Sequence, residues 1–328
     1  MRKKILINII LFMLVPCISF FSIIKVGITA IVEHPSLDAA RMGITEYLKE
    51  KGFEEGKDFE IIYQNAQGNM NTQVTIADQL ISIGSDIIVG ISTPSAQACM
   101  NASSLKPVVF TAVTDPVSAG LIAKIGLNPD GNVVGISDMI PVNSHMKLLK
   151  MLVKDAEKIG FLYNPGEANS VILREHAQAA CDSLGFELIE ITGTTAPEMI
   201  SAINSVISKV DVIYVGTDNT VASSMEAISK SAINNNVPII AGDIGTAKGG
   251  GTIGFGFDYR QVGRETGKLV YEIMNGKKPE ELESRLVDSE SLTLYINLDI
   301  AEKVGMEVPE SLLAKADFIV KDGVETAR

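Results

Sequence analysis

The stretch Asp86-Ile87-Ile88-Val89-Gly90 returns later in the chain as Asp211-Val212-Ile213-Tyr214-Val215-Gly216. Each is a short β-branched run closed by glycine, the text of a strand buried on both faces of a parallel sheet. The surroundings repeat with it. Gly52-Phe53 follows the first helical pattern of one half, and Gly185-Phe186 follows that of the other. Lys106-Pro107-Val108-Val109-Phe110 matches Asn236-Val237-Pro238-Ile239-Ile240. A period of about 130 residues is far too long for a solenoid unit, and two copies of one α/β lobe account for it.

Outward from these runs, strands alternate with helical patterns, the signature of βαβ units. Strands are expected over 25–32, 59–63, 86–91 and 107–113, then over 158–163, 186–191, 211–215 and 237–241. Helices are expected over 37–51, 72–83, 170–184, 197–208 and 221–234. Ser36 reads as the N-cap of the first helix and Gly52 as its stop. The expected fold class is α/β, with two similar doubly wound parallel-sheet lobes and a ligand cleft between them. Residues 133–140 read as leaving the first lobe, and the glycine-rich 249–257 as returning to it. A helix over 261–275 and a strand over 292–298 follow. The expected division is therefore 25–138 plus about 250–290 for the first lobe, and 139–249 plus about 291–328 for the second.

At roughly 150 residues per domain, 328 residues also suggest two domains. Hydrophobic residues at 46% and charged ones at 21% exclude disorder. A net charge of −12 argues against nucleic-acid binding, which needs clustered Lys and Arg. With no Trp and three His, an aromatic-lined cofactor pocket or a His-rich metal centre is not expected. Arg2, Lys3 and Lys4 precede an apolar run from Ile5 to Ile24, the layout of an export signal or a membrane anchor, so that 1–24 stands apart. Without those three basic residues the body carries −15. Leu14-Val15-Pro16-Cys17 resembles a bacterial lipobox, which makes Cys17 a candidate lipidation site; an uncleaved N-terminal helix is the alternative tether. Either places the body outside the cytoplasmic membrane. Cys99 and Cys181 fall in predicted helices without metal or CxxC spacing and read as buried small apolar residues.

Ligands of open parallel sheets bind beyond the carboxyl ends of the strands. Three polar loops of each half fall there. The first half offers Glu33 and His34, Ser92 and Thr93, and Thr114 and Asp115. The second offers Asn164, Glu167, Asn169 and Ser170, then Thr217, Asp218 and Asn219, then Asp243. Helix N-termini open after several of these loops, and their free N–H groups suit a carboxylate. Asp115, Asp218, Asp243, Glu33 and Glu167 suit an ammonium. Both in one cleft would fit a free amino acid. Singly, each residue also reads as a cap or turn. His145 and His176 read as surface residues of helices, and Tyr163, Tyr214, Phe255, Phe257 and Tyr259 as core. No G-x-S-x-G, HExxH, P-loop or complete dinucleotide fingerprint occurs, so neither an enzyme nor a cofactor is expected.

In order along the chain, the texts 31–35 (IVEHP), 92–94 (STP), 111–120 (TAVTDPVSAG), 163–170 (YNPGEANS), 217–221 (TDNTV) and 254–263 (GFGFDYRQVG) resemble the substrate-binding proteins of bacterial ABC importers. The resemblance spans about residues 25–320 and is narrowest to the tryptophan or tyrosine uptake group, with the type I periplasmic-binding fold. It implies a monomeric, membrane-tethered extracytoplasmic receptor for a small ligand, most specifically an aromatic amino acid, with an ABC permease as partner. A surface adhesin or a sensory ligand-binding protein of the same fold is the rival reading.

Overall fold

The computed structural model describes residues 23–128, 131–288 and 291–328. The readings of the basic start, the apolar run to residue 22 and Cys17 lie outside the described residues.

The first sheet is built from β1 (Ile24–Ala30), β2 (Phe59–Asn65), β3 (Ile87–Ile91), β4 (Val108–Val113), β5 (Gly126–Leu127) and β6 (Val133–Ser137). Helices α1 (Pro35–Glu50), α2 (Met70–Ser82) and α3 (Thr93–Ala102) make its crossovers. The chain then crosses to a second sheet through 138–141 and α4 (Val142–Leu152). There β7 (Lys158–Tyr163), β8 (Glu187–Thr192), β9 (Val212–Val215), β10 (Ile239–Ala241) and β11 (Ile253–Phe257) are joined by α5 (Ala168–Leu184), α6 (Ala196–Val206), α7 (Asn219–Ser223), α8 (Met225–Asn234) and α9 (Ile244–Lys248). Helix α10 (Tyr259–Met274) and β12 (Glu283–Leu286) return to the first lobe, and β13 (Leu292–Asn297), β14 (Phe318–Lys321) and β15 (Val324–Ala327) finish the second.

The sheet orders are β2-β1-β3-β4-β6-β12-β5 and, from the matching edge, β8-β7-β9-β10-β11-β13-β14-β15. Their first five strands are parallel and correspond one to one, so the repeat in the sequence is a repeat of topology. Strands buried on both faces explain the unbroken apolar text. Ile87–Ile91 and Val212–Val215 are wholly buried, and each such Ile or Val contributes about 1.5–3 kcal/mol by leaving water. Gly52 and Gly185 follow their helices at φ +88° and +80°, a backbone that stops a helix and that glycine adopts without cost.

Two expectations of local structure are corrected. Ile253–Phe257 does not return to the first lobe; it pairs with β10 on one side and β13 on the other. Its glycines mark close approach rather than a crossing, since a Cβ on Gly256 would collide with the Gly242 carbonyl. The return begins at Asp258, which caps α10. Ser36 is not the cap of α1 either. His34 holds that position without a side-chain capping bond, Pro35 takes the first turn, and Ser36 turns across the cleft.

Helices α1 and α10 lie against one another with almost no gap. A Cβ on Gly43 would collide with the Arg260 carbonyl, and one on Gly263 with the Ala40 carbonyl. Arg260 pairs with Glu46 and Arg264 with Glu50 along the exposed seam. Among the described residues, no helix is long and apolar enough to cross a membrane. Cys99 and Cys181 are both buried thiols; burial pushes Cys99 up to about 12.

Candidate functional site

The carboxyl ends of both sheets face each other, and the polar loops meet there. Among the described residues, three side-chain hydrogen bonds span the gap between lobes. The Ser36 hydroxyl donates to Asp243 Oδ1 at 2.6 Å, Thr114 and Thr217 share a hydroxyl bond of 2.9 Å, and His34 Nε2 lies 3.4 Å from Asn219 Oδ1. Asn219 Nδ2 donates to Glu167, so its Oδ1 is an acceptor and His34 Nε2 is the donor. A Cβ on Gly245 would collide with the Ser36 hydroxyl, so the contact depends on glycine at that point.

These bonds surround a cavity of about 20 Å³. Among residues expected at the site, His34, Asn169, Thr217, Asp218, Asn219 and Asp243 line it. Ser36, Leu37, Ala112, Asp138, Ala222 and Tyr259 line it as well, and none of them is among the ligand residues singled out from the sequence. The remaining expected residues fall outside the lining. Glu33 is exposed. Ser92, at φ +85°, bonds Ser95 at 3.2 Å, and Thr93 is buried beside it. Asp115 caps its own loop, accepting from the Val117 and Ser118 N–H groups at 3.0 Å, and those bonds with the Ser118 hydroxyl outweigh partial burial to hold its pKa low.

In the second lobe, the expected residues form a supporting network. Asp218 caps α7 through the Val221 N–H at 2.8 Å and accepts from the Asn164 N–H and the Ser170 hydroxyl, both at 2.6 Å. It thereby ties the ends of β7 and β9 to the start of α5. Burial raises its pKa, against those three donors. Glu167 accepts from Asn219 Nδ2, from Asn169 Nδ2 at 3.3 Å and from the Thr220 hydroxyl at 3.1 Å. Burial, and then the charge of Asp218, raise it to about 7. Asn164 reaches Thr220 Oγ1 at 2.9 Å.

On the first-lobe side, Asp138 directly follows β6 where the chain first crosses. It is 1% exposed, and its Oδ2 accepts from the Tyr259 hydroxyl. Burial raises its pKa to about 6, opposed by that hydroxyl. Burial also lowers the pKa of His34, opposed by the charge of Asp243. A bulge between Phe110 and Val113 sets Ala112 at φ +53° and turns it onto the cavity. His145 corrects its surface reading. It is fully buried, with Nδ1 2.9 Å from the Tyr214 hydroxyl, because α4 lays it edge-on to Tyr214 and Phe255. Among the described residues, no three ligating side chains are set to hold a metal ion.

The family model described as ABC transporter substrate binding protein matches residues 25–320. A curated relative from Clostridioides difficile, the tyrosine-binding protein, is 39% identical over 86% of this chain and 81% of its own. A Streptococcus pneumoniae ABC domain solved in complex with L-Trp is 31% identical, with a TM-score of 0.86 over 91% of this chain and 100% of that one. A ligand-free, open substrate-binding protein with adhesive properties from Clostridium difficile is 38% identical, with a TM-score of 0.67 over 91% and 99%.

Proposed function

The chain belongs to the ABC transporter substrate-binding protein family, and on that premise we propose that it is the extracytoplasmic receptor of an importer, closing around tyrosine or tryptophan and handing it to a membrane permease. The observation that carries the amino-acid reading is the lining of the cavity. Asp138, Asp218 and Asp243 lie on it with His34, and no lysine or arginine does. Such a wall favours a ligand that brings its own positive charge. The ligand carboxylate goes to the start of α1, where Ser36 and Leu37 line the cavity and the first-turn N–H groups have no acceptor within the helix. The tyrosine named for one relative and the L-Trp bound in another support an aromatic side chain.

The ligand enters with the lobes apart. A cavity of about 20 Å³ admits a water or two, whereas ligand pockets measure about 300–1,000 Å³. The chain superposes better on the L-Trp complex than on the open, ligand-free relative, although its sequence is nearer the latter, which supports a hinged pair of lobes. The receptor works as a monomer, tethered by a lipid on Cys17 or by an uncleaved N-terminal helix. Thermal-shift measurements on the full chain test the reading. Tyrosine or tryptophan should raise the melting point, while tyramine and 3-(4-hydroxyphenyl)propionate should not. No shift with any aromatic amino acid would overturn it.

The adhesive properties of the Clostridium difficile relative favour a second reading, surface adhesion alongside uptake. Adhesion to cell monolayers by a folded variant that has lost ligand binding, such as Asp138→Asn, would support it; loss of both together would not.

A further inference from the structure

Three side chains on the cavity each hold one buried polar atom without a hydrogen-bond partner: His34 Nδ1, Asp138 Oδ1 and Asn169 Oδ1. All three are acceptors. Asn169 Nδ2 donates to the Thr217 carbonyl at 2.8 Å, which fixes its oxygen as the free end. His34 Nε2 donates to Asn219, so in the neutral ring its Nδ1 carries a lone pair. Asp138 uses Oδ2 for Tyr259 and leaves Oδ1. Buried polar groups are almost always paired, so three unpaired acceptors on one small cavity call for a donor with several N–H bonds. An ammonium has three N–H bonds and a charge opposite to that of Asp138.

We propose that Asp138, with His34 and Asn169, forms the ammonium cage of this receptor, and that Asp138 is the residue that distinguishes an amino acid from its deaminated analogue. The proposal rests on the amino-acid reading above and says which acid does the work. Asp218 is satisfied by three donors, Glu167 faces its own lobe's amides, and Asp243 gives Oδ1 to Thr246 and Ser36. Asp138 differs from all three in holding a fully buried oxygen that has no partner. The charged and titratable groups around Asp138 are Tyr259 from α10, Asp243 from the start of α9, and His34 before α1. Asp243 repels a second negative charge there and so sharpens the demand for a cation. Because Asp138 sits at one crossing and Tyr259 just after another, the cage is anchored where the lobes are joined rather than on one of them.

The test is calorimetry with L-tyrosine and with 3-(4-hydroxyphenyl)propionate on the full chain. For Asp138→Asn, affinity for tyrosine should fall about 10- to 100-fold, the range expected for losing a charged hydrogen bond. The deaminated analogue should lose at least about tenfold less, which a merely structural role would not produce. Wild-type affinity for tyrosine should fall about tenfold between pH 7 and pH 5, as Asp138 takes up a proton, and Asp138→Asn should lack that fall. Should Asp138→Asn fail to fold, Tyr259→Phe reads the same group. Removing the donor to Oδ2 should move the midpoint of the pH profile upward. Unchanged tyrosine affinity in Asp138→Asn, equal losses for both ligands, or an unmoved midpoint in Tyr259→Phe would overturn the cage and leave the receptor reading standing. Wild-type protein that binds no amino acid would overturn both.

Discussion

Asp218→Ala removes one carboxylate and strands three donors. The Asn164 N–H and the Ser170 hydroxyl each lose an acceptor at 2.6 Å, and the Val221 N–H loses its cap at 2.8 Å. Loss of an N-cap costs about 1 kcal/mol. Each further buried donor left without a partner costs about 1–3 kcal/mol. Removing a carboxylate whose ionised form is disfavoured by burial returns part of this. The net expectation is a loss of about 3 kcal/mol, read as a lower urea midpoint at unchanged m-value. Asp115→Ala is the comparator. It too caps a loop with two N–H bonds and a hydroxyl, but on a part-exposed turn, so its cost should stay near 1 kcal/mol. Equal midpoints for the two variants would refute the view that Asp218 is a buried brace of the second lobe.

Gly43→Ala should lower the melting temperature by several degrees, because its methyl group meets the Arg260 backbone and α10 cannot yield without moving Tyr259. Gly245→Ala should hold the lobes apart by pressing on Ser36, giving a larger radius of gyration by small-angle scattering with ligand present. Thr114→Val removes a cross-lobe bond worth about 1 kcal/mol, so ligand affinity should drop about fivefold by calorimetry. Glu167 is raised in the folded protein to about 7 from an ordinary value of 4.5. The folded state therefore holds its proton over a range where the unfolded chain has lost it. Stability from this group is full below pH 4.5 and is lost as pH rises through 7. Urea midpoints should fall from pH 5 to pH 7 in the wild type, and Glu167→Gln should flatten that slope.

The parallel strands were legible because burial on both faces leaves an unbroken β-branched text, and the lobes were legible because that text occurs twice. The site was only half legible. Asp218 and Asn219 fall in a polar strand-end loop, where ligands of parallel sheets bind, and they do line the cavity. Asp138 gave no such signal. It follows a strand, sits in an unpatterned crossing, and owes its chemistry to burial and to Tyr259, far along the chain. Tyr259 read as core, and it is buried; what the sequence hid is that its hydroxyl meets a carboxylate. Ser36 fitted a helix-start pattern so well that its reach across the cleft to Asp243 was masked. His145 failed for a related reason. Helical periodicity places a residue on a face, but which face is covered depends on the partner sheet.

The first sheet is completed out of order. Its strand β6 keeps a bare edge until residues 283–286 arrive to pair with it, and α1 keeps an uncovered face until α10 is made. Both come after five strands of the other lobe. During synthesis, the amino-terminal lobe cannot finish folding before the carboxyl-terminal one has largely been produced. A chain cut short before residue 259 would carry an open strand edge and an exposed helix face, both prone to aggregation. The two lobes therefore fold as one interwoven unit, and a cut at that point leaves neither sheet complete.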